Sequence, residues 1–126
     1  MSNILELNLA DLQKAIRDKN LSAKEITEAY LQAIEQNSQS NCFISITEEK
    51  AIQMAEESDK RIERGEALAL DGIPIGVKDL FCTSGVRTTA GSNMLSNFVP
   101  QYLSLIHISE PTRQEAFSYA VFCLKK

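Results

Sequence analysis

The sequence predicts an α/β domain in which N-terminal helices lead into the start of a mixed sheet. Two segments with helical spacing of their apolar residues come first, each opened by a side-chain start signal. A short apolar run, CFISI, then precedes a third helical segment, and a second extended run, IPIGVK, follows it. Helix and strand patterns that alternate in this way argue for α/β rather than for a bundle or a sandwich.

The first segment, NLADLQKAIRDK at residues 8 to 19, places Leu9, Leu12, Ala15 and Ile16 on one face, with Asn8 as the cap and Asp11 in the first turn. The second, residues 22 to 36, has Ser22 with Glu25 three positions on, the reciprocal capping box, and a stripe of Ile26, Tyr30, Leu31 and Ile34. The polar NSQSN ends it. CFISI at 42 to 46 reads as a strand with Phe43 or its alternate neighbours turned inward, and Thr47 can cap the next helix. Residues 48 to 64 carry acids in the first turn, bases in the last and Gly65 as the stop, with Ala51, Ile52, Ala55 and Ile62 on the buried side. IPIGVK at 73 to 78 is apolar throughout, as in a strand covered on both faces, with Pro74 at its start where a missing N–H does least harm. Turn signals at Ser84-Gly85 and Gly91-Ser92 make the next stretch a loop-rich, hairpin-like excursion.

Composition narrows the function classes. A chain of 126 residues holds one small domain or a piece of one. No apolar run approaches the length of a membrane span, and the first residues lack a basic-then-apolar leader, so the expected setting is the cytoplasm with no membrane partner. Cys42, Cys82 and Cys123 are three, odd in number and far apart, which suits reduced thiols and neither a disulfide framework nor a metal knuckle. The single histidine, His107, gives a zinc site or a histidine triad almost no material. A formal net charge of -4 argues against a dedicated nucleic-acid surface on this chain while leaving room for an RNA-handling partner.

Lys78 ends the second strand and is followed by Asp79. Taken alone, it reads as an ordinary solvated charge, because lysine is rarely buried. Its surroundings change that reading. The stretch LDGIPIGVKDLFCTSGVRTTAGSNMLSNFVPQY resembles the first block of the amidase signature family, and the added FCTSGVRTTAGS is similar to the branch formed by the A subunits of aspartyl/glutamyl-tRNA amidotransferases. The resemblance runs from the first helices to Tyr102 and implies that the α/β domain is the N-terminal part of an amidase-signature mixed-sheet fold, truncated.

The resemblance implies an amide hydrolase that uses a serine nucleophile, a second serine in a cis peptide linkage and a lysine, whose position matches Lys78. It further implies hydrolysis of glutamine to supply ammonia to partner subunits B and C, which with ATP and magnesium convert misacylated Glu-tRNA(Gln) or Asp-tRNA(Asn). No cofactor is expected on this chain itself. Such a base is demanding: with a reference pKa near 10.4, about one lysine in two thousand is neutral at pH 7. Burial and hydrogen bonding must lower that pKa by about three units, on the order of 4 kcal/mol. A fixed strand end walled by apolar residues is a suitable place. Asp79 reads as a structural or supporting residue that bonds local backbone in the turn.

After Tyr102 the family pattern stops. LSLIHISEPTR resembles, codon by codon, the translation of a transposase-type sequencing adapter. Gln114, Glu115 and Ala116 fall where an index would lie, SYAVFCL continues the adapter, and Lys125 and Lys126 read as a run of A. Phe117 departs from the adapter by one base change. Residues 103 to 126 are therefore expected to be foreign, with His107 and Cys123 carrying no function, although AFSYAVFCL has a pattern that permits a helix or strand whatever its origin. The family's glycine- and serine-rich segment would lie beyond this seam, and no GGSSGG pattern occurs in the chain. Lys78 is then a base without its serines, and the chain alone is expected to be inactive. Two alternatives stand beside this reading: another amidase-signature hydrolase acting on a small amide, and a non-catalytic helical interaction module.

Overall fold

The computed structural model describes residues 3–82, 84–101 and 121–124. Its elements, in chain order, are α1 (Leu9–Arg17), α2 (Ala23–Gln36), β1 (Phe43–Ile46), α3 (Glu48–Glu63), β2 (Ile75–Lys78) and β3 (Val121–Leu124), with single 3-10 turns at Ile4–Glu6, Ser38–Ser40 and Asn93–Leu95. The expected order of helix, helix, strand, helix, strand is present.

Side-chain chemistry explains where the helices begin. Asn8 accepts a hydrogen bond from the Asp11 amide at 3.0 Å, and Ser22 and Glu25 complete the capping box at 3.0 and 2.9 Å. A third group joins from outside the helix: the Asp59 carboxylate of α3 accepts from the amides of Ala23 at 2.7 Å and Lys24 at 3.2 Å. The N-terminus of α2 thus has its otherwise orphaned donors satisfied partly by its neighbour. Thr47 stands at the N-cap position of α3, yet its side chain makes no cap hydrogen bond to the helix.

Both α1 and α3 end in a Schellman pattern. At α3 the amides of Gly65 and Glu66 reach Ile62 O at 3.1 Å and Arg61 O at 3.0 Å, with Gly65 at φ 77. At α1 those of Lys19 and Asn20 reach Ile16 O at 3.1 Å and Ala15 O at 2.9 Å, and here a lysine takes the left-handed position at φ 56. This is why α1 stops at Arg17 rather than running on to residue 19.

The main core joins Leu12 and Ile16 of α1, Ile26 of α2 and Ile73 of the segment before β2, with Leu21, Tyr30 and Ile62 packed partly buried around them. A smaller cluster sets Ala51 of α3 against Leu31, Ile34 and Phe43, which gives Phe43 its expected inward role. The sheet has the order β1-β3-β2, with β3 antiparallel to β1 and parallel to β2, so it is mixed. β3 lies within the segment expected to be foreign.

One expectation needs correction. β2 begins at Ile75, not residue 73, and it is half-covered rather than buried on both faces, with Gly76 exposed. The reason lies in the preceding turn: Ile73 donates to Leu70 O at 3.2 Å behind Gly72 at φ 79, so its amide is committed to the turn, and Pro74 has none to offer the ladder.

Candidate functional site

The chain entering β2 is held by a partly buried charge pair. Asp71 is almost fully buried, and its carboxylate accepts from Ser58 Oγ at 2.8 Å and from Arg61 Nε and Nη2, each at 3.0 Å. The fork geometry of guanidinium on carboxylate makes this strong and directional. Next to it, a Cβ on Gly72 would stand 2.8 Å from that of Ala23. The chain entering β2 is therefore pressed against α2 and tied to α3 at one point.

At the other end of β2 stands Lys78, half-buried, its Cα in register with that of Leu124 on β3. A turn follows at once, closed by the Phe81 amide on Lys78 O at 3.1 Å. Asp79, inside this turn, is only 4% exposed. Its Oδ1 accepts from the Thr89 amide at 2.9 Å, and its Oδ2 accepts from Thr89 Oγ1 and from the Gly91 amide at 3.3 Å. Its backbone carbonyl takes the Ala90 amide at 2.9 Å. Neutral donors thus solvate a buried carboxylate, and three consecutive residues of a distant loop are bound to the residue beside Lys78.

That loop has the hairpin-like form expected of it. Thr88 N donates to Phe98 O at 3.0 Å and Gly85 N to Pro100 O at 2.9 Å. Ala90 and Gly91 both have positive φ, 50 and 73, and Ser92 N closes the turn on Thr89 O at 2.9 Å. Arg87 pins the hairpin to β1 through Ser45 Oγ at 3.2 Å and Ile44 O at 3.2 Å, and Lys50 of α3 reaches Ser84 O at 2.9 Å. Strand end, turn and hairpin form one hydrogen-bonded unit around Lys78 and Asp79.

Two of the concavities on the described surface lie elsewhere. One, between α1, α3 and the loop after α3, is lined by Gln13, Ile16, Ile62 and Asp71; the other by Tyr30, Ile34, Phe43 and Ile46. Neither takes in Lys78. Among the described residues no cluster of His, Cys, Asp and Glu could hold a metal ion. No helix among them is long and apolar enough to cross a membrane. His107 falls outside the described residues, and so do the side chain of Cys123 and the seam after Tyr102.

The α/β architecture of helices leading into a mixed sheet agrees with the family to which the sequence is assigned by comparison. Residues 25–107 match the Amidase family, and the chain belongs to it. The curated relatives narrow the branch: the chain is 51% identical over 106 residues to the A subunit of glutamyl-tRNA(Gln) amidotransferase from Beijerinckia indica, and 47% identical over 104 residues to its counterpart from Anaplasma marginale. Those matches cover 84% and 82% of this chain but 22% and 21% of the relatives, so it spans about a fifth of their length. Among solved structures, one chain from a vestigial protein complex bearing on the origins of an s-triazine catabolic enzyme superposes with a TM-score of 0.80 at 28% identity, covering 94% of this chain and 26% of that one. A bacterial aryl acylamidase of the amidase signature enzymes shares the fold, with a TM-score of 0.74 at 22% identity over 90% of this chain and 24% of that one.

Proposed function

We propose that residues 1–102 are the N-terminal part of the glutamine-hydrolysing A subunit of a tRNA-dependent amidotransferase, with Lys78 as its proton-transfer base. The observation that carries this reading is the identity of 51% over 106 residues to the A subunit of a glutamyl-tRNA(Gln) amidotransferase. In the proposed chemistry a serine oxygen attacks the glutamine amide carbonyl, its proton moving through a second serine to the neutral amine of Lys78. The same proton then leaves with the departing ammonia. Lys78 suits that role by position: the chain before its strand is tied to α3 through Asp71 and the turn after it to the hairpin through Asp79, so the amine is carried on a fixed backbone.

The ammonia would pass to partner subunits B and C, where ATP and magnesium drive amide formation on misacylated Glu-tRNA(Gln) or Asp-tRNA(Asn), making the assembly a cytoplasmic carbon-nitrogen ligase. Both serines would come from sequence absent here. Residues 103–126 are, in this reading, adapter-derived and not part of the enzyme. The codon-level likeness to adapter DNA supports this.

The test begins with the source DNA beyond the codon for Tyr102. A native continuation carrying a glycine- and serine-rich block is expected there; its absence would end the amidase reading. With the full-length protein assembled with its partners, glutamine hydrolysis should be measurable and Lys78→Arg should abolish it, because guanidinium does not deprotonate. The 126-residue chain should show no glutaminase activity.

A further inference from the structure

The groups around Lys78 that carry no part of the chemistry are arranged to fix one thing: the backbone on its C-terminal side. Upstream, the chain entering β2 is held by Asp71 on Ser58 and Arg61 and by the close approach of Gly72 to Ala23. Downstream, Asp79 is buried at 4% exposure with its carboxylate directed onto Thr89 N, Thr89 Oγ1 and Gly91 N. Thr89 Oγ1 is used twice, since it also accepts from the Gly91 amide at 3.2 Å. The loop cannot leave without stranding a buried charge, and Asp79 cannot turn without releasing three donors. A carboxylate is the side chain that this geometry demands, because each of the three groups bonded to it is an N–H or O–H donor.

We propose that Asp79 is a positioning residue for Lys78, acting through the Thr89–Gly91 loop to set where the lysine amine is presented. This rests on the reading of Lys78 as the base. Asparagine at 79 keeps the shape but replaces one acceptor oxygen with an N–H2 that faces the Gly91 amide, so the clamp loses its hold on Gly91. Valine at 89 keeps the shape of threonine and removes the hydroxyl, whereas serine keeps the hydroxyl. If positioning is the function, the loss appears in the chemical step and follows the hydroxyl and the carboxylate, not the bulk of the side chain.

The experiment uses the full-length protein, cloned from the gene that carries residues 1–102 and assembled with its partners, with glutamine as the probe. Asp79→Asn and Thr89→Val are expected to lower kcat at least tenfold per folded molecule with KM for glutamine changed less than threefold, and Thr89→Ser to restore kcat to within threefold of the parent. Folded fraction is read by thermal unfolding for each variant. Lys78→Arg is the companion measurement. If Lys78→Arg retains activity, the assignment of the base fails; if it is inactive while Asp79→Asn keeps the parental kcat, the positioning role fails and the base stands. A kcat deficit that disappears once corrected for folded fraction, or a Thr89→Ser variant as impaired as Thr89→Val, also overturns the proposal.

Discussion

Lys19 and Gly65 occupy the same position in two helices, the first residue past the end with a left-handed backbone, at φ 56 and φ 77. Glycine adopts that conformation at no steric cost, whereas a side chain brings its Cβ against the following carbonyl at about 1–2 kcal/mol. The chain therefore contains its own control. Lys19→Gly is expected to stabilise the protein by about 1 kcal/mol and Gly65→Ala to destabilise it by a similar amount, both read from denaturant unfolding midpoints. Equal and negligible shifts for the two would refute the shared geometry. Gly72 combines two demands, φ 79 and a Cβ that would meet Ala23 Cβ at 2.8 Å, while Gly91, at φ 73, has open space around it. Gly72→Ala should cost about 2–4 kcal/mol, the backbone strain plus overpacking, and Gly91→Ala only about 1–2 kcal/mol. The ordering is the test: a costlier Gly91→Ala would place the crowding elsewhere.

Among elements, the contact between α2 and α3 depends on capping more than on charge pairing. Asp59 accepts two amides at the N-terminus of α2, where the helix dipole favours an anion, and its loss strands both donors. Asp59→Ala should cost about 2 kcal/mol and Ser22→Ala about 1 kcal/mol, with hydrogen exchange at the amides of residues 23 to 25 accelerated in each. The ion pair Lys24–Glu56, at 2.8 Å, spans the same two helices, but both side chains are nearly half exposed. The hydrogen bond from Lys24, then its charge, lowers the pKa of Glu56, and the hydrogen bond to Glu56, then its charge, raises that of Lys24. The signs set a window. Stabilisation from Glu56 is present above the unfolded carboxylate pKa and fades as pH falls through the lowered folded value; that from Lys24 is present below the unfolded amine pKa and fades as pH rises through the raised one. At neutral pH both contribute, so Glu56→Gln should lower the thermal midpoint slightly at low salt and not measurably at high salt. A larger loss than that of Asp59→Ala would reverse this ranking. The same elements show what a sequence can disclose. Asn8 with Asp11 and Ser22 with Glu25 act across three residues, so the helix starts are legible in a short window. Asp59 caps a helix that begins 36 residues earlier, and Asp79 holds a loop ten residues on. Such partners exist only once the chain has packed, so the sequence, which suggests that Asp79 bonds backbone in its own turn, misses that its carboxylate is bound by Thr89 and Gly91. The start of β2 is hidden for another reason: apolar character marks burial, whereas strand pairing requires free amides, which Pro74 and the turn-bound Ile73 do not have.

The molecule as a whole has a sheet that depends on its last described strand. β1 and β2 pair with β3 and not with each other, so β3 is the only described link between the helical half and the strand that carries Lys78 at the level of the sheet. If residues 103–126 are adapter-derived, that central slot is filled by a segment with no history in this fold. A slot between an antiparallel and a parallel neighbour asks mainly for backbone N–H and C=O groups in extended form, and short apolar runs supply those readily. Ending the chain at Tyr102 leaves two strands with unpaired edges, which favours association with other chains. The expectation is specific. In the chain of residues 1–102, amides of Phe43–Ile46 and Ile75–Lys78 should exchange rapidly and the protein should self-associate. Those of α2 and α3 should stay protected, because the cluster of Leu12, Ile16, Ile26 and Ile73 and the Arg61–Asp71 pair all lie within residues 1–102. In the full-length protein, native sequence should restore protection at the same strand residues. Protected strands and a monomeric state in residues 1–102 alone would show that β1 and β2 need no central partner, and that the sheet around Lys78 is stable in its own right.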